Sequence, residues 1–87
     1  MLSYALKGTI SKSMFPSEAV ISFRDASGND VAVVAPRELL ASCPGAEAAL
    51  RVRLVQAADG LRLVELPGEV YGGGRFVTVH EAQLAAV

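Results

Sequence analysis

The stretch Leu50–Leu66 constrains the fold of this chain more than any other, because strand pattern, turn chemistry and cross-strand pairing all agree there. Leu50-Arg51-Val52-Arg53-Leu54-Val55-Gln56 alternates apolar and polar residues with period two, the spacing of a half-buried strand and not of a helix. Ala58-Asp59-Gly60 breaks the alternation, and Asp-Gly is a strong signal for a tight turn between antiparallel strands. Leu61-Arg62-Leu63-Val64-Glu65-Leu66 returns, and Pro67-Gly68 ends it. Such a stretch reads as a long β-hairpin.

Two registers compete. A two-residue loop sets Leu54 against Glu65 and Gln56 against Leu63, burying charge beside apolar side chains. A three-residue loop sets Val52 against Leu66, Leu54 against Val64, Val55 against Leu63, and Arg53 against Glu65 as an opposite-charge pair. The second is the expectation. It puts Leu50, Val52, Leu54, Val64 and Leu66 on one face at the base, and Val55, Ala57, Leu61 and Leu63 on the other face at the tip. A ribbon whose apolar side changes halfway fits a coiled, barrel-like sheet. The tip residues Val55, Ala57, Leu61 and Leu63 then serve either to wrap the core or as a subunit interface.

The rest of the chain continues the theme. Residues 3–11 alternate as an opening strand, interrupted by Gly8, whose position suggests a bend or bulge. Met14 and Phe15 lie in a polar loop and are expected to fold back as a lid on the barrel end. Ala19–Phe23 alternates again, and Asp25 to Asp30 reads as a solvated turn in preference to a calcium loop, whose spacing and closing glutamate are absent. Val31–Ala35 is apolar on both faces, as a central or covered strand would be. Pro36–Ser42 has the composition of a short helix with proline at its first position. Pro67–Gly74 is a glycine-heavy connector, a candidate flap, followed by a strand at Arg75–Val79 and a helical turn near His80–Leu84.

One internal similarity stands out. Val33–Ala41 can be laid over Val77–Ala85, each a strand, a turn and then a leucine, and each preceded by two strands joined by a turn. The few matching positions fit either two related β-β-turn units or convergent strand-to-helix grammar.

Eighty-seven residues make one small domain, 1–87. Eight basic and nine acidic residues leave a formal charge of -1, so no overall field favours a polyanion. The 52% hydrophobic content is high for so short a chain and points to a homo-oligomer. The single cysteine, Cys43, excludes an intrachain disulfide and suits a reducing compartment. With no basic-then-apolar leader and no long uncharged apolar run, the expectation is a cytoplasmic protein without membrane contact.

Chemistry is sparse. His80 is the one histidine, so no histidine metal cluster can form within a chain, and Cys43 has no basic neighbours in sequence to lower its pKa. Gly72-Gly73-Gly74 precedes a strand and so lacks the aligned amides of a phosphate-binding loop. No cofactor, metal or catalytic residue is expected. Arg51, Arg53 and Arg75, with Tyr71 and His80, form a candidate ligand or nucleic-acid surface. The sequence thus predicts an all-β protein with one or two helical turns, a small antiparallel SH3-like barrel of about five or six strands. Its expected role is that of a non-catalytic, self-associating interaction module, with nucleic-acid binding as the alternative and a ligand or enzymatic site between subunits as a third.

Overall fold

The computed structural model describes residues 3–41, 47–71 and 74–86. Cys43 and the centre of the glycine connector, Gly72 and Gly73, lie outside them. Nine strands follow in order: β1 (Ser3–Lys12), β2 (Glu18–Arg24), β3 (Asp30–Pro36), β4 (Leu40–Ala41), β5 (Ala48–Ala58), β6 (Leu61–Glu65), β7 (Glu69–Tyr71), β8 (Phe76–His80) and β9 (Leu84–Ala86). All pairings are antiparallel, in the order β7-β3-β2-β1-β5-β6-β8, with β4 added to β5 and β9 to β1. The expected all-β, barrel-like sheet is what the chain forms.

The curl brings the β2–β3 turn onto β8. The Ala26 amide in the β2–β3 turn donates to the Thr78 carbonyl on β8 at 2.8 Å. Gln83 adds a clasp: its Oε1 accepts from the His80 amide at 2.9 Å and its Nε2 donates to the Arg24 carbonyl at 2.8 Å. Inside the curl lie Leu6, Ile21, Val33, Leu50, Leu66, Val64 and Val79, all fully buried, with Phe23, Val31, Val52 and Val77 around them. No buried polar side chain occurs among the described residues, so hydrophobic burial and the backbone ladders carry the fold.

The internal similarity seen in the sequence is a structural equivalence. The spacing that takes Leu6 to Leu50 also takes Val33 to Val77, Leu40 to Leu84, and the 3₁₀ turn Arg37–Leu39 to the turn Glu81–Gln83. Leu6 and Leu50 face each other across the antiparallel β1–β5 pair. Each half closes on the other: β4 pairs with β5 through Leu40–Leu50, and β9 pairs with β1 through Leu84–Leu6.

Several expectations require correction. The expected helix Pro36–Ser42 does not form over its described residues 36–41: Pro36 ends β3, a single 3₁₀ turn follows, and Leu40 is already extended, while Ser42 lies outside the described residues. The need to send Leu40 across to β5 limits the turn to three residues. The connector after Pro67 contains β7, and Leu84, expected in the last helical turn, opens β9. Met14 and Phe15 do not fold back as a lid; they are 89% and 58% exposed. The Arg37 Nε bond to the Pro16 carbonyl at 2.8 Å and the Glu18 amide bond to the Phe15 carbonyl at 3.1 Å fix this loop away from the core.

The hairpin itself is β5–β6, and its register is mixed. Arg53 pairs with Glu65 and Leu54 with Val64 as expected, but Gln56, Ala57 and Ala58 pair with Leu63, Arg62 and Leu61. The turn is the two-residue Asp59-Gly60, with positive φ at both (50° and 77°) as a type I′ turn requires. Val55 is the extra residue of a β-bulge that reconciles this turn with the base register. The expected Val55–Leu63 pair is therefore replaced by Gln56–Leu63.

Candidate functional site

Two surfaces of the second half present groups beyond those the core needs. The first is the outer face of β5, β6 and β8 near the hairpin tip. Pairing places Gln56, Leu63 and Thr78 in one row, Ala58, Leu61 and His80 in the next, and Glu65 beside Phe76. Gln56, Ala58, Asp59, Leu61, Leu63 and Thr78 together line a shallow depression. Phe76 is 54% exposed, Leu61 37% and the bulge residue Val55 40%. Of the proposed interface residues, Leu61 and Leu63 share this face, whereas Ala57 pairs with Arg62 and so lies on the opposite side. The bulge causes the exchange: it moves Gln56 and Ala58 onto the face assigned to Val55 and Ala57. Arg62, turned away from Leu61 and Leu63, donates from Nη2 to Glu81 Oε2 at 2.7 Å.

The second surface is a groove at the base of the same hairpin. On one edge of β5, Ala49 and Leu50 pair with β4, and Arg53 onward pairs with β6; Arg51 and Val52 lie between these partners. The gap opens into a groove of about 420 Å³ lined by Leu39, Arg51, Val52, Arg53, Glu65, Leu66, Pro67 and Arg75. Arg53 Nε donates to Glu65 Oε1 at 2.7 Å, so the Glu65 carboxylate holds the Arg53 guanidinium in place.

Arg51, Arg53 and Arg75 are thus brought together, as the sequence suggested. His80 and Tyr71 do not join them. His80 pairs with Leu61 at the other end of β8 from Phe76 and the adjacent Arg75, and the Tyr71 backbone pairs with Ala32 on the opposite edge of the sheet. The apolar walls Leu39, Val52, Leu66 and Pro67 were not anticipated. Leu39 could have been found from the repeat, since it occupies the position of Gln83 in the other half. The gap in pairing has no signature in the sequence.

Among the described residues, no group of three or more His, Cys, Asp or Glu side chains is placed to hold a metal, and no helix is long and apolar enough to cross a membrane. No family model, curated protein or solved structure matches this chain.

Proposed function

We propose that this protein is a non-catalytic interaction module of the small SH3-like barrel kind, acting in the cytoplasm, that associates with a second copy of itself through the outer face of β5–β6–β8. The observation that carries this reading is the exposure of Phe76, Leu61 and Val55 on one ribbon, around the half-buried Leu63. Water-exposed apolar side chains grouped on one sheet face are the usual mark of a contact. Polar groups frame the patch, with the Arg53–Glu65 pair at its base and His80 near its tip, which matches the apolar centre and polar rim of protein interfaces. A second copy supplies an identical apolar strip, as an isologous pairing needs.

Sedimentation velocity over a concentration series tests the proposal. Wild type is expected to pass from monomer to dimer as concentration rises. Leu63→Arg, which places a charge at the patch centre, is expected to weaken association by about 30-fold, or about 2 kcal/mol, while its circular dichroism remains that of the wild type. A wild-type protein that stays monomeric at millimolar concentration contradicts the reading.

A further inference from the structure

The near-equivalence of the two halves allows each surface feature to be compared with its counterpart, and the groove at the base of the hairpin differs from its counterpart in the side chains that line it. In the first half, β1 makes the same change of partner: Tyr4–Leu6 pair with β9 and Thr9–Lys12 with β2, leaving Lys7 and Gly8 between. Gly8 lies so near β2 that a Cβ there would fall 2.7 Å from the Ser22 carbonyl oxygen. Lys7 Nζ donates to the Ala82 carbonyl at 3.3 Å, and Gln83 spans the neighbouring strand ends with its two hydrogen bonds. In the second half the corresponding positions are Arg51, Val52 and Leu39, and Arg53 and Arg75 converge on them. Nothing in closing the sheet demands three arginines there, since the first half closes without them.

We propose that this open groove is a binding site for an extended acidic segment of a partner protein, one that alternates carboxylate and aliphatic side chains. Guanidinium forks at Arg51 and Arg75, with Arg53 held in register by Glu65, match the planar geometry of carboxylates. Leu39 and Pro67, both half-buried, supply apolar wall beside the cations for the aliphatic side chains of such a segment, over a floor formed by the buried Val52 and Leu66. A nucleic-acid strand fits less well. Among the described residues, no aromatic side chain lines the groove to stack a base. The groove adjoins the self-association face and shares the Arg53–Glu65 pair with its rim, but the proposal rests on the groove's own lining.

Fluorescence anisotropy with the full chain tests this, using a labelled short peptide alternating glutamate with leucine, the same peptide with glutamine for glutamate, and a mixed-sequence single-stranded RNA. The glutamate peptide is expected to bind, and to bind at least about tenfold more weakly when Arg51→Glu or Arg75→Glu is introduced. The glutamine peptide is expected to lose a similar factor, and added salt to weaken the wild-type complex. Arg24→Glu, outside the groove, is expected to change nothing, and the melting temperature of each variant separates loss of binding from loss of fold. Absence of binding by the glutamate peptide at millimolar concentration overturns the proposal, as does binding unaffected by Arg51→Glu and Arg75→Glu together. RNA binding stronger than peptide binding and abolished by the same substitutions overturns it in favour of a nucleic-acid groove.

Discussion

Single residues decide where this sheet can bend and how it is tied together. Gly68 has φ near +75°, and a Cβ on it would lie 2.3 Å from the Val34 carbonyl oxygen. Gly68→Ala is therefore expected to destabilise the protein by about 1–3 kcal/mol through backbone strain and displacement of β7 from β3, read as a lower denaturant midpoint; an unchanged midpoint contradicts the close approach. Asp25 controls the β2–β3 turn that reaches β8. Its carboxylate accepts from the Asn29 amide at 2.9 Å, the Ser27 amide at 2.9 Å and the Asn29 side-chain amide at 3.4 Å. These bonds, the Asn29 amide foremost, hold its pKa below the ordinary value against a smaller opposing effect of desolvation. A lowered folded-state pKa means that the carboxylate's stabilisation is present above the unfolded-state pKa and lost as pH falls through the folded value. Asp25→Asn is expected to lower the melting temperature at neutral pH and to flatten its decline in acid. Parallel melting curves for the two proteins from neutral to acid pH would show that this carboxylate does not act on stability.

At the scale of elements, the β5–β6 hairpin shows what residue pattern can and cannot reveal. Its base was legible because Arg53–Glu65 and Leu54–Val64 pair well in only one register. Its tip was not, because two uniform registers were weighed while the chain uses both, joined by a bulge at Val55. A bulge costs one unpaired residue and leaves no mark in an alternating pattern when the inserted residue is itself apolar. The deletion of Val55 is expected to be tolerated, because Leu54–Val64 and Gln56–Leu63 then become successive rungs of one ladder with every side chain still on its present face. Its cost is expected to stay within about 1 kcal/mol, and thermal unfolding measures it; a collapsed or aggregated variant contradicts the bulge assignment. The short strands β4, β7 and β9 were missed for a different reason. Two- and three-residue strands are held by partners distant in sequence, and their own residues carry too little period to announce them.

For the whole molecule, the repeat of strand, turn and leucine proved the most informative long-range signal. It foretold that Leu40 and Leu84 play matching parts, although not that each would cross to the other half and pair beside Leu50 and Leu6. Such interlocking leaves the two halves sharing one core, with seven strands forming a continuous curled path. Against that common frame the second half departs from the first in its bulge, its exposed Phe76 and Leu61, and the three arginines that line its groove, and it is on these departures that both binding proposals rest. Chemical shifts of backbone amides recorded over a protein concentration series test the self-association face most directly. Concentration-dependent shifts are expected at Gln56, Leu61, Leu63, Phe76 and Thr78, with the equivalent face of β2 and β3 unchanged. Shifts confined to that other face, or none at any concentration reached, would contradict the account.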